Sequence, residues 1–192
     1  MKKRPGRRHG VVTLLILLTL AASGAPRPPA RDFLTPMEEE RVKEAQILDK
    51  RIEVFIKAAE RRLLVLTGPT AADGKQLKKD SELWGELPTG TRTELIMDIA
   101  NILDAAVTNI DDVALRDEKN SLIPKALRKL AAEATRLQSQ VAALGRQTEV
   151  TSERRAVEHV MTNIQEILEA AGRLPAEEPG KKEKGKSKKD GQ

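Results

Sequence analysis

Apolar residues recur along the middle of this chain at steps of three and four. Val42, Ala45, Leu48, Ile52, Phe55, Ala59, Leu63 and Leu66 form the first such stripe, which is the spacing of a helix that buries one face. Thr35-Pro36 with Glu38 three residues after the threonine is a capping box with proline at the first helical position, and Gly68-Pro69 is a stop. The pattern predicts one long helix over 36–67, about 48 Å at the usual rise. A second box, Thr91 to Glu94, opens a stripe of Leu95, Ile99, Ile102, Ala106, Ile110 and Val113. A third stripe runs through Ile123, Leu127, Leu130, Ala134, Leu137, Val141 and Leu144, with Pro124 in its first turn and Gly145 at its end. A fourth carries Val157, Val160, Ile164, Ile167, Ala171 and Leu174. No stretch alternates with period two, so no sheet is expected.

Helices with one apolar face must bury it against each other. The expected fold is all-α: a four-helix antiparallel bundle with a long first helix, spanning 33–174. A coiled-coil oligomer is the competing use of the same stripes, so a monomer or a small homo-oligomer is expected. The acids Glu94, Asp98, Asp104 and Asp111 of the second predicted helix and the bases Lys125, Arg128, Lys129 and Arg136 of the third suggest that these two helices face each other. Such exposed pairs stabilise by about 0–1 kcal/mol each and would set register more than stability.

The two ends of the chain break this pattern. Residues 1–10 are basic, 11–22 are apolar, and small residues follow at Ser23, Gly24 and Ala25. That is the three-part layout of a secretory signal peptide over 1–23. The apolar run is about 12 residues and a membrane span needs about 20, so an uncleaved interfacial anchor is the other reading of the segment. Residues 24–32 read as an extended linker. Residues 175–192 carry Lys181, Lys182, Lys184, Lys186, Lys188 and Lys189 with no apolar period. They are expected to be disordered, and the six lysines are a candidate polyanion-binding site. In an exported protein their partners would be anionic lipids or polymers of the cell envelope.

Charge changes the picture less than the pI of 9.5 suggests. Residues 1–23 hold five basic and no acidic residues, and the remainder holds 29 of each. The body is therefore near neutral, and nucleic acid is not an expected partner. With no cysteine, disulfides, thiolate chemistry and cysteine-rich zinc sites are excluded. Phe33, Phe55 and Trp84 are the only aromatic residues, which argues against sites built on aromatic stacking.

Candidate chemistry is sparse. His159 stands beside Glu158, but adjacent helical residues point to different faces, and no Glu-x-x-His motif of bundle di-iron sites occurs. Asp111-Asp112 and Glu38–Glu40 lack the glycine and alternating oxygens of a calcium loop. No phosphate-binding loop and no Gly-x-Ser-x-Gly elbow appears. No enzyme activity, cofactor or metal is expected. Residues 68–90 make a long connection, of the kind that is functional, disordered or hides a short element. Asp80 to Glu86 suit a helical turn carrying Trp84, which either caps the core or serves as an anchor for a partner protein.

Leu34-Thr35-Pro36, the run Lys50-Arg51-Ile52-Glu53-Val54-Phe55 continuing into Ala58-Ala59-Glu60-Arg61-Arg62-Leu63, and Lys125-Ala126-Leu127-Arg128-Lys129-Leu130 resemble segments of uncharacterised exported all-helical bacterial proteins of the acidobacterial type. The resemblance covers about residues 33–172. It implies a helical bundle and export, and it supplies no activity and no site residues. The expected role is that of a secreted or periplasmic non-catalytic structural or interaction protein. The alternative is an envelope-associated binder acting through the lysine-rich tail.

Overall fold

The structure is a computed structural model that describes residues 31–69 and 74–175. The chain divides into two units, Met1–Arg31 and Asp32–Gln192. The expected signal peptide, most of the linker and the six lysines of the tail lie outside the described residues. The second unit contains six helices among the described residues: α1 (Pro36–Glu44), α2 (Leu48–Thr67), α3 (Gly74–Trp84), α4 (Arg92–Arg116), α5 (Leu122–Gln147) and α6 (Thr151–Gly172). There is no strand among the described residues, and none of their helices is long and apolar enough to cross a membrane.

The long first helix is not formed. The chain folds back at Ala45–Ile47 and lays α1 antiparallel along α2, with Glu38 of α1 beside Arg61 and Arg62 of α2. No glycine or proline stands at 45–47. The break is a tertiary effect. Straight continuation would carry the Glu38 carboxylate away from two guanidinium groups that α2 buries, and a buried charge without its partner is costly. The side chain of Arg51 secures the turn. Its Nε donates to the Ala45 carbonyl at 2.9 Å and its Nη1 to Asn109 Oδ1 of α4 at 3.1 Å. It thereby supplies a donor that the last turn of α1 lacks. Both sequence caps are present. Thr35 and Glu38 exchange hydrogen bonds at 2.9 and 3.3 Å, and Thr91 and Glu94 at 2.7 and 3.2 Å.

The four long helices α2, α4, α5 and α6 surround one apolar core whose members include Ile52, Phe55, Ile99, Ile102, Leu130, Leu137, Val160 and Ile164. The stripes of all four point into it. α2 packs on α4 and α5, and α6 packs on the same two, so α2 and α6 occupy opposite corners, and so do α4 and α5. Contacts between side chains give the directions. Arg62 meets Asp98 while Arg51 meets Asn109, so α2 and α4 are antiparallel. Lys125 meets Asp49, Lys129 meets Glu53 and Arg136 meets Glu60, so α2 and α5 are parallel. Arg92 meets Glu153 and Asp104 meets His159, so α4 and α6 are parallel too. Gly145 packs on Val157, and Arg128 reaches the Pro175 carbonyl at 2.6 Å, which makes α5 and α6 antiparallel.

Packing order therefore departs from chain order. The link 117–121 joins helices at opposite corners, and the expected facing of the second and third stripes across one seam is replaced. Lys125, Lys129 and Arg136 of α5 meet the acids of α2 instead, and Arg128 donates to the Pro175 carbonyl. Of the acids expected to face them, Asp98 turns to Arg62, Asp104 to His159, and Glu94 serves its own cap.

Gly145 is not a stop. α5 runs through it to Gln147, and a Cβ at that position would stand 2.9 Å from Val157 Cγ1. The glycine allows close approach of α5 and α6. Gly68, at φ +80, does end α2. The connection after it holds a longer helix than the expected turn, Gly74–Trp84.

Candidate functional site: a charged cleft between α2, α3 and α5

Seven polar or charged side chains are buried among the described residues: Glu38, Asp49, Arg61, Arg62, Asp98, Glu133 and Asn163. Four of them form one cluster. Glu38 Oε1 accepts from Arg61 Nε at 3.0 Å and from Arg62 Nη1 at 2.5 Å. The remaining hydrogens of the two guanidiniums are spread over carbonyls. Arg62 donates to Ala58 at 3.0 Å and Phe33 at 2.7 Å, and Arg61 donates to Gly85 and Glu86. Asp98 Oδ2 stands 3.8 Å from Arg62 Nε, which makes no hydrogen bond among the described residues. Burial pulls the Arg61 guanidinium below its usual range, and the Glu38 charge opposes that shift. The cluster ties α1, α2, α4 and the segment after α3 to one another. Arg41 adds a further tie by donating to the Leu83 carbonyl at 3.0 and 3.1 Å.

Arg61 is also a wall of a cleft of about 380 Å³ between α2, α3 and α5. The cleft lies in the size range of small-ligand sites. Its lining, however, is ionic. Arg136 of α5 donates to Glu133 Oε2 at 2.7 Å and stands 3.5 Å from Glu60 Oε1 of α2. Lys57 of α2 reaches Asp80 Oδ2 of α3 at 2.7 Å. Leu63, Leu64, Leu77 and Leu87 supply the apolar floor. A second hollow of about 400 Å³ continues along the α2–α5 seam past Lys129 and Glu53, and a smaller one of about 190 Å³ opens behind Asp80 at Leu87.

Glu133 is buried, and both its burial and the Glu60 charge push its carboxyl above the ordinary 4.5, against the pull of Arg136. At the far end of the seam the balance is reversed. Hydrogen bonds from Lys125 to Asp49 and from Lys129 to Glu53 hold those carboxyls below their ordinary values. Lys125 is raised by the same contact with Asp49. The cleft thus pairs a charge on one element with a charge on another at two places, Lys57 with Asp80 and Arg136 with Glu60. An incoming cation can compete with Arg136 for Glu60 and Glu133, and an incoming carboxylate can compete with Asp80 for Lys57.

Trp84 is half-buried at the last position of α3, next to the exposed Leu83 whose carbonyl Arg41 holds. Lys181, Lys182, Lys184, Lys186, Lys188 and Lys189 lie outside the described residues. His159 is exposed, 3.9 Å from Asp104. No group of three or more His, Asp or Glu side chains among the described residues could hold a metal ion.

Burial of Glu133 in the cleft wall, and of Asp98 and Arg62 in the cluster, was not expected from the sequence, yet a signal was present. Glu133 stands three after Leu130 and four before Leu137, Asp98 three after Leu95 and four before Ile102, and Arg62 four after Ala58 and four before Leu66. A charged residue on the apolar stripe is buried with a partner or not at all. Comparison with protein-family models, curated proteins and solved structures finds no match to this chain.

Proposed function

We propose that this chain is an exported, non-catalytic interaction protein, a four-helix bundle that takes a partner segment of mixed charge into the cleft between α2, α3 and α5. One observation carries the proposal: the cleft walls hold charge pairs that cross between elements, Lys57 with Asp80 and Arg136 with Glu60, and Arg136 also holds the buried Glu133 of its own helix. Such pairs can exchange one partner for another without leaving a charge bare, which suits recognition of a polypeptide carrying both signs. Export rests on the three-part pattern of residues 1–23 and fits the layout shared with exported all-helical bacterial proteins of the acidobacterial type. The body of the protein then acts in the periplasm or outside the cell.

A second reading rests on the lysines at 181–189. Here the tail grips anionic lipids or envelope polymers and the helices serve as a scaffold.

Co-sedimentation with isolated cell envelopes across a salt series tests both readings. The samples are the wild-type chain, a chain ending at residue 174, and Lys57→Glu/Arg136→Glu. Loss of binding in the charge-reversed variant alone supports the cleft. Loss with truncation, fading with salt, supports the tail. Equal retention by all three sinks the cleft proposal. Fusion of residues 1–31 to a reporter that is active only after export tests the compartment separately.

A further inference from the structure

We propose that α1 is an exchangeable arm, and that a second copy of this chain can accept it in place of its own to give a domain-swapped dimer hinged at Ala45–Ile47. The first ground is the hinge. Glu44, Ala45, Gln46 and Ile47 are all compatible with a helix, and the apolar stripe passes through them in phase, from Val42 to Ala45, Leu48 and Ile52. Gln46 makes one local contact, donating from its side chain to the Lys43 carbonyl, and the rest of the turn's hold comes from Arg51 and from the Glu38 pair. Ile47, at the N-cap of α2, makes no side-chain cap and is 55% exposed. Straightening would pass the Ala45 carbonyl from Arg51 to the backbone N–H of Asp49, the ordinary helical partner.

The second ground is the seat. Arg61 and Arg62 are 2% and 1% exposed and share the Glu38 carboxylate. A seat lined by two buried guanidiniums cannot stand empty at tolerable cost. When α1 leaves, an identical α1 must enter. The only supplier of the same acid, the same cap and the same Arg41 contact to the Leu83 carbonyl is another copy.

The third ground is geometric. α1 and α2 are antiparallel in the folded-back form. A two-fold axis through 45–47 of two straightened chains lays each α1 antiparallel to the other copy's α2, which is the same relation. Every contact of the seat is therefore reproduced, and only the hinge changes. Exchange of an element across a short hinge is a low-cost route to a closed dimer.

The test is the mass of the purified chain by light scattering after refolding from denaturant over a range of protein concentrations. The wild type is expected to give a dimer fraction that grows with concentration during refolding. Ile47→Pro suits the turn, where φ is −89, and forbids the straight helix. It should lower dimer association by at least about a hundredfold. A complementation experiment identifies the contact. One chain carries Glu38→Ala and the other Arg61→Ala/Arg62→Ala. Each alone leaves a buried charge without its partner, but in a swapped heterodimer one seat is native and the other is neutral. Heterodimer formed on co-refolding of the two supports the exchange. A wild type that stays monomeric at every concentration, a dimer that Ile47→Pro leaves undiminished, or a mixture that forms no heterodimer overturns it.

Discussion

The Glu38 carboxylate, fully buried on α1, is 2.5 Å from Arg62 Nη1 on α2, twenty-four residues later in the chain. This contact and its companion to Arg61 decide the path of the N-terminal helices. Glu38→Ala leaves two guanidiniums buried without their carboxylate and is expected to cost about 3–5 kcal/mol in chemical denaturation. Glu38→Gln keeps the shape and the cap and should cost less. A loss below about 1 kcal/mol for the alanine variant would mean that α1 is not docked through this pair.

Asp49 on α2 accepts from Lys125 Nζ on α5 at 2.8 Å. That contact, followed by the charges of Lys125 and Lys129, lowers its carboxyl below the ordinary 3.8. The folded state therefore binds this proton less readily than the unfolded chain does. The resulting stability is fully present above the ordinary value and is lost as pH falls through the lowered one. Asp49→Asn should lower the thermal midpoint at about pH 7 and converge on the wild type in acid. A variant equally destabilised at both ends of the range would show that the side chain matters for shape alone.

Much of the architecture could be read from the chain because stripes and caps are local. Thr35 with Glu38, Thr91 with Glu94, and the periods through Leu130, Leu137 and Val141 need no knowledge of the rest of the molecule. What could not be read was decided between elements. Ala45–Ile47 has helical propensity and phase, and it turns where Glu38 finds Arg61 and Arg62 and Arg51 takes the Ala45 carbonyl. The acids of α4 and the bases of α5 are equally well placed to meet on paper. The link 117–121 sends α5 to the opposite corner, where Asp49, Glu53 and Glu60 meet the bases instead. The buried charges have a weaker signal still, charged residues such as Glu133, Asp98 and Arg62 standing on the apolar stripes, legible only when each position is read against its neighbours at three and four.

Gly145 sits inside α5 where a Cβ would meet Val157 Cγ1 at 2.9 Å. In a free helix Gly→Ala gains about 1 kcal/mol. Here the methyl must displace α6, and overpacking costs about 1–3 kcal/mol. Gly145→Ala is therefore expected to be destabilising on balance. Val157→Ala removes the opposing methyls, so the pair should show favourable coupling in a double-mutant cycle measured by urea denaturation. Additive effects within about 0.3 kcal/mol would mean that the two helices do not touch at this point.

Glu133 carries the pH dependence expected of the cleft. Its carboxyl is buried and faces Glu60 and Arg136, with Lys57 and Arg61 on the other wall. Burial first and the Glu60 charge second raise it above the ordinary 4.5, while Arg136 pulls it down. The folded state binds this proton more tightly than the unfolded chain does. Its contribution to stability is complete below the ordinary value and is lost as pH rises through the raised one, opposite in sign to Asp49. Glu133→Gln is neutral at every pH and can still face Arg136. The difference in unfolding free energy between the wild type and this variant should move against the wild type as pH rises from about 4 to 8, and titrations common to both proteins cancel in it. A difference that is flat across that interval would place the carboxyl in water rather than in the cleft wall. A difference of the opposite slope would mean that Arg136 outweighs burial, and that the cleft holds Glu133 charged as an anchor for cations.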